Sequence, residues 1–362
     1  MKCFKILKNA ALAVVIIIFA VLSLIYIDNV KAAILSSLKS CVYTIMPSLF
    51  VMCVLSGWIT MSGAFERIFR RLGLDSAALT AFFLGNIGGY PIGAKTISGL
   101  ISSGRLTRCE AENVICFSYA SGPAFCLGIV SSAVFNSKML GFISFLSVFL
   151  SNLTLYLIYA ARHRCKSKEI CIQERSLSFI MTESVQSAAT AMTTICSSIL
   201  FFAAVIAILC SAFPILLQLS WLPPILEISN IVNYEYSGAF SYAAASALLS
   251  FGGICVHFQV SSLTGNCFSL KKFYLTRPLQ IGLTALYSFI IYKLFLAYLP
   301  ASILPKHILV TQSDSLLPFI CIVAMLVISM TYRRKNKKST QQKRNVVSEV
   351  LRKPSGITEN TA

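Results

Sequence analysis

The stretch GNIGGYPIGAKTISGLISSG, Gly85 to Gly104, carries six glycines, a proline and a lysine within a largely apolar chain. Apolar, helix-like sequence leads into it. Glycine and proline are the weakest helix formers. A helix crossing a bilayer has no water to repair a gap in its hydrogen-bond ladder, so broken backbone is tolerated there only against protein or a water-filled cavity. The stretch is therefore read as the irregular part of a re-entrant hairpin over 76–101, entering and leaving the membrane on one side.

The rest of the chain supports a membrane setting. Of 362 residues, 56% are hydrophobic and 12% charged, whereas soluble domains carry about 25% charged residues. Several uncharged apolar runs have the length of a transmembrane helix, about 20 residues. The expected fold class is all-α: a polytopic membrane protein with about eight transmembrane helices plus two re-entrant hairpins in an inverted repeat. The spans fall at 10–27, 41–63, 111–135, 137–161, 187–213, 239–263, 278–299 and 315–332, and the hairpins at 76–101 and 214–236.

The net charge of +18 would point to nucleic acid in a soluble protein. Here the basic residues read instead as signals that hold loops on the cytoplasmic side. With the N-terminus inside, 26 of the 31 Lys and Arg residues fall inside, leaving Lys31, Lys39, Lys138, Lys293 and Lys306. If 76–101 crossed the membrane fully, ARHRCKSK and TYRRKNKK would lie outside, against that rule. Lys2, Lys5 and Lys8 precede an apolar run from Ala11 to Ile27. It is longer than the ~7–15 residues of a signal-peptide core, which favours a retained anchor over cleavage near Val30 to Ala32. The 13 cysteines include no C-x-x-C pair. Cys165 and Cys171, with His163 nearby, form a weak zinc set, and no metal or other cofactor is expected.

Two spans match in an unusual way. FSYASGPAFCLGIVSS (Phe117–Ser132) and LLSFGGICVHFQVSS (Leu248–Ser262) align at an offset of 130. Gly122 then meets Gly252, Pro123 meets Gly253, Val130 meets Val260, and Ser131–Ser132 meet Ser261–Ser262. Each reads as a helix broken near its middle, preceded by an interrupted hairpin and an intact span. The two sets have opposite orientation. The organisation is an N-terminal anchor helix and loop (1–40), repeat one (41–161), repeat two (187–300), a C-terminal transmembrane helix (301–332) and a basic cytoplasmic tail (333–362). Inverted repeats with discontinuous helices are the build of secondary transporters.

The candidate binding residues cluster at the breaks. Hairpin one offers Asn86, Gly88, Gly89, Tyr90, Pro91, Gly93 and Lys95. A lysine at bilayer depth either marks a functional site or snorkels to the interface. Hairpin two offers Glu227, Ser229 and Asn230 just after Pro223–Pro224. Glu227 can hold a proton, a cation or a substrate donor, or else sit at the outer surface. The first broken helix adds Ser121, Gly122 and Pro123; the second adds Gly252, Gly253, His257 and Gln259. His257 is either a proton shuttle or a hydrogen-bonded packing residue. No G-x-x-x-x-G-K-[ST], H-E-x-x-H or G-x-S-x-G is present, so neither a P-loop nor these catalytic signatures occur. No catalytic residue is expected, and the chain is not read as an enzyme.

The strings GGYPIGAKTISGLISSGRLTRCEAE, SYASGPAF, LEISN and LLSFGGICVHFQV resemble the YlbJ-type sporulation integral membrane protein family. That family is similar in turn to the nucleoside recognition, or Gate, domain. The resemblance covers about Ser40 to Leu299. It implies a multi-pass protein of the cell membrane, or of the membrane around the forespore, in a spore-forming bacterium. It further implies movement of a small anionic metabolite such as dipicolinate. The motif positions it marks are Gly89, Tyr90, Pro91, Gly93, Ala94, Lys95, Ser121, Gly122, Pro123, Glu227, Gly252, Gly253 and Gln259. The family's glycine after LEISN is Ile231 here, so hairpin two departs from the pattern. The alternatives are a non-transporting scaffold in spore-envelope assembly and a nucleoside carrier. The expected partners are a small-molecule substrate and the lipid membrane, not nucleic acid; self-association into a homo-oligomer is left open.

The orientation is testable with reporter fusions. Alkaline phosphatase fused after residue 136 should be active outside the membrane, and after residue 170 inactive; the opposite pattern overturns the charge-based topology.

Overall fold

The structure, a computed structural model, describes residues 2–71, 74–162, 176–234, 238–265 and 267–298. The expected span 315–332, the tail 333–362 and the Cys165–Cys171 loop lie outside the described residues. Helices and their connections make up all that is described, with no strand among these residues. In order they are α1 (Lys2–Ile25), α2 (Ile27–Ser40), α3 (Met46–Ser62), α4 (Ala64–Arg71), α5 (Ser76–Gly88), α6 (Tyr90–Ser102) and α7 (Arg108–Val114). After them come α8 (Lys138–Arg162), α9 (Leu177–Ala212), α10 (Leu222–Leu226), α11 (Gly238–Phe251), α12 (Gly253–Thr264) and α13 (Lys271–Tyr298). Among the described residues, four stretches are long and apolar enough to cross a membrane: Ile27–Ser62, Lys138–Arg162, Leu177–Ala212 and Gly238–Thr264. The chain is an all-α polytopic membrane protein, as its apolar runs require.

Several boundaries differ from those read in the sequence. The expected loop before residue 41 is helical. α2 runs into α3 through one π-helical turn, Cys41–Ile45. Asp28 lies in the first turn of α2, where its charge complements the helix dipole, and Lys39 lies where α2 passes into the π-helical turn. Lys31 and Lys39 are exposed, so neither charge is buried by the helix packing. α9 is longer than its expected span, with 36 residues. Span 111–135 holds only the short α7, an extended run through Gly122, and a π-helix over Ala124–Val134. Its break is therefore much wider than Ser121–Gly122–Pro123.

Hairpin one forms where it was expected. Asp75 caps α5, its Oδ1 accepting from Ala78 N at 3.1 Å. The chain reverses at Gly89, whose φ of 96° is open to glycine and strained for other residues. Pro91 then sits in the first turn of α6, where a missing N–H leaves no hydrogen bond unmade. Below the hairpin, Arg105 grips Glu66 through both carboxylate oxygens at 2.9 and 3.0 Å and reaches Thr60 O at 2.6 Å. Glu66 is 1% exposed, and a buried carboxylate needs such a partner.

Hairpin two takes a different form. Its chain is a 3-10 segment (Pro214–Gln218), the single-turn α10, and a second 3-10 segment (Ile228–Asn233). Proline enters the first turn of the first two pieces, which lets each start but gives neither a long ladder. Polar contacts join the long helices: Ser144 of α8 bonds the Tyr242 hydroxyl and Ser246 of α11, both at 2.9 Å. Thr284 of α13 donates to Ser151 of α8 at 2.9 Å. Small and hydroxylated residues are the usual glue between membrane helices.

The hairpin-one glycines make room for the extended run. A Cβ on Gly85 would lie 2.2 Å from Ser118 O, and one on Gly93 only 1.7 Å from the same oxygen. Two helices thus press bare backbone against one carbonyl. Gly93→Ala should lower the thermal unfolding midpoint of the detergent-purified protein by the equivalent of about 1–3 kcal/mol. Gly128→Ala, where a Cβ meets nothing within 4 Å, should not. Equal effects of the two substitutions would contradict the packing described.

Candidate functional site

The site is built from two breaks and the two segments that cover them. At the first break, the N–H groups of Cys116 and Phe117 still bond to Asn113 O and Val114 O of α7, but the carbonyls of Cys116, Phe117 and Tyr119 are taken by side chains. Asn86 of α5 donates to Phe117 O at 3.1 Å and Phe82 O at 2.7 Å. Asn152 of α8 donates to Tyr119 O at 2.9 Å and to Asn86 Oδ1 at 2.7 Å. Gln280 of α13 donates to Tyr119 O at 3.1 Å and also to Asn152 Oδ1. Arg277 donates to Cys116 O. Asn86, Asn152 and Gln280 are fully buried, and a buried amide chain of this kind stands in for the missing ladder.

At the second break, Gly252 and Gly253 have φ of 80° and 78°. They end α11, and its freed carbonyls are taken by side chains from elsewhere. Tyr119 donates its hydroxyl to Phe251 O at 2.7 Å, and Tyr90 donates to Leu249 O. His257 Nε2 lies 3.1 Å from Phe251 O. A Cβ on Gly252 would stand 2.1 Å from the Tyr119 hydroxyl, so this approach requires glycine.

Each covering segment touches its own break. A Cβ on Gly122 would lie 2.9 Å from Gly89 N, and one on Gly253 would lie 3.0 Å from Ile228 N. The tip of hairpin one therefore rests on the first break, and the Glu227–Ile228 bend of hairpin two rests on the second. Between these contacts lies a cavity of ≈ 60 Å³. Gly89, Tyr90 and Pro91 line it with Gly122 and Phe125, and Glu227 and Ser229 with Gln259 of α12. α3 and α9 close the remaining wall with Leu49, Ile195 and Ile199.

Glu227 is the carboxylate of this cavity and is 3% exposed. Its Oε1 accepts from Ser229 N at 3.0 Å, and its Oε2 accepts from the Ser229 hydroxyl and from Asn230 Nδ2 at 3.1 Å. Among the described residues the ion pairs are Arg105–Glu66 and Lys272–Glu112; no cationic side chain pairs with Glu227. Its charge is thus met by neutral donors alone, an arrangement suited to binding a proton or a cation. No cluster of three or more His, Cys, Asp or Glu side chains able to hold a metal occurs among the described residues.

Of the residues singled out in the sequence, Gly89, Tyr90, Pro91, Gly122, Glu227, Ser229 and Gln259 meet at this cavity. Others support it. Asn86 belongs to the amide chain, Gly93 passes Ser118, Asn230 holds Glu227, and Gly252 and Gly253 shape the second break. Gly88 and Pro123 flank the hairpin turn and the first break, and Ser121 accepts from Cys126 Sγ at 3.4 Å. Lys95 does not line the cavity. It sits on α6 beside Thr96, which bonds Ser56 of α3 at 3.2 Å, and its Nζ is buried with no hydrogen-bond partner. His257 lines a different cavity.

Tyr119, Asn152, Arg277 and Gln280 were not singled out. Asn152 and Gln280 are amides in otherwise apolar helices, a signal that was present, because such groups need partners in a membrane. In comparisons with known proteins, no family model, no curated protein and no solved structure matched the chain.

The amide chain predicts a large loss on interruption. Asn152→Leu leaves Asn86 Oδ1 without a donor and takes one acceptor from Gln280 Nε2, while Tyr119 O keeps its bond from Gln280; the cost is about 1–3 kcal/mol per unsatisfied buried group. The unfolding midpoint in detergent should fall well below that of Asn113→Leu, a half-buried amide on α7 whose bonds to Cys109 O and Lys272 are solvent-exposed; a midpoint equal to wild type would contradict the role.

Proposed function

We propose that the chain is a secondary transporter or facilitator of a small metabolite, and that Glu227 is the ionisable group on its path. The observation that carries this reading is the meeting of both covering segments, the first break and the α12 residues Val256 and Gln259 at one cavity holding a buried carboxylate with no cationic partner. Discontinuous segments around a shared site between two repeats are the construction through which alternating access is achieved. At ≈ 60 Å³ the cavity has room for water or an ion but not for a ring, so cargo entry requires hairpin one to lift from Gly122.

Resemblance to the YlbJ-type sporulation proteins supplies the cargo class: a small anion such as dipicolinate, moved in the membrane that surrounds the forespore. Lys95 is displaced from the cavity, so it does not supply the attraction. Glu227 does so in its protonated form. An ionised carboxylate repels an anion, whereas a neutral carboxyl offers it an O–H donor. Anion flux is therefore linked to a proton at Glu227.

Proteoliposomes containing the full chain test this. Dipicolinate uptake should exceed that of protein-free vesicles by about tenfold or more and should rise as the external pH falls. Glu227→Gln, a permanent neutral mimic, should retain exchange while losing the pH dependence. Uptake equal to protein-free vesicles for dipicolinate overturns the anion reading, and uptake of a nucleoside in its place supports the carrier alternative.

A further inference from the structure

A second cavity, of ≈ 560 Å³, lies between α12 and α13 and is separate from the one that holds Glu227. His257, Phe258 and Ser261 line one side, and Tyr274, Arg277 and Ile281 the other. Its volume is in the range of small-molecule sites, and so is its makeup of apolar walls with a few polar groups.

Arg277 is the unusual member. It is 3% exposed. Its Nη2 donates to Cys116 O and its Nε to Phe273 O at 3.4 Å. The guanidinium carbon stands 4.4 Å from the centre of the Phe273 ring and 4.9 Å from that of Tyr119. The Nη1 group is buried with no hydrogen-bond partner. Neither ion pair among the described residues involves Arg277. Two carbonyls and two ring faces hold this cation, but none of them neutralises it. Burying a charge is costly unless it is paired. A cationic group short of a counter-charge, at the wall of a cavity that also offers an imidazole and a hydroxyl, is what an anion-binding site presents before it is filled.

We propose that the cavity between α12 and α13 binds an anionic oxygen group, carboxylate or phosphate, carried on an apolar body. Arg277 supplies the charge, Ser261 a hydroxyl donor, and the walls of Phe258, Tyr274 and Ile281 pack the apolar part. Phe258 and Tyr274 are 62% and 48% exposed, so the cavity opens at the protein surface and can be reached by a dissolved carboxylate or by a lipid headgroup. The inference does not rest on transport, and its test measures no flux.

The full chain, purified in a non-ionic detergent, is assayed by equilibrium binding and by ligand-induced shifts in unfolding temperature. The probes are benzoate and a short-chain phosphatidylglycerol, each with an uncharged or zwitterionic counterpart, benzamide and short-chain phosphatidylcholine. At least one anionic probe should bind and its counterpart should not. Response to benzoate identifies a soluble carboxylate as the source, and response to phosphatidylglycerol a lipid. Arg277→Gln should weaken binding by about tenfold or more, the loss of one charge-assisted contact. Ile281→Trp keeps the guanidinium but intrudes on the cavity, so it should weaken binding by about tenfold or more with the ligand-free unfolding temperature little changed; it also decides the matter if Arg277→Gln fails to fold. The proposal is overturned if neither anion binds wild type, if the counterparts bind equally well, or if Ile281→Trp binds like wild type.

Discussion

Backbone that leaves a helix inside a membrane must find its hydrogen bonds within the protein, and the rest of this structure follows from that demand. Two segments leave their helices, at Cys116–Gly122 and at Gly252. The first is served by three amides from three different helices, the second by two tyrosine hydroxyls and a histidine. Apart from His257, which meets Phe251 O six residues away, each donor is remote in sequence from the carbonyl it satisfies. Helix packing and break satisfaction are therefore one problem: α5, α8 and α13 must assemble before the extended run has a stable conformation.

Glycine solves the steric half of the same problem. Gly85 and Gly93 present bare backbone to Ser118 O, and Gly122 presents it to Gly89. Only helices without side chains at these points come close enough for the amide chain to reach. The glycines of the hairpin are thus spent on contact between protein segments at Gly85 and Gly93, and on the cavity at Gly89. This separates two roles that look identical in a glycine-rich string.

Much of the fold could be read directly. The limits of hairpin one, 76–101, nearly coincide with α5 and α6, because Asp75 and the Gly89–Pro91 turn are local signals. The second break was legible because two adjacent glycines interrupt an apolar span. The extended run was not. Its residues, FSYASG, carry no breaker before Gly122, and what holds it open is Asn86, Asn152 and Gln280. Prolines marked hairpin two as interrupted but could not say that it would break into three short pieces. Lys95 drew a functional reading as a charge at membrane depth; on α6 it lies outside the lining of the Glu227 cavity, a placement that spacing in the sequence does not reveal. Arg277 was passed over for the opposite reason: it was counted among the charges that set topology.

Tyr119 belongs to both breaks at once. Its carbonyl is held by Asn152 and Gln280 in the first, while its hydroxyl holds the end of α11 in the second. One residue therefore joins the two broken segments. Parting the two segments breaks the Tyr119–Phe251 bond and leaves the end of α11 to Tyr90 and His257. A movement at one break is thus felt at the other through this one residue.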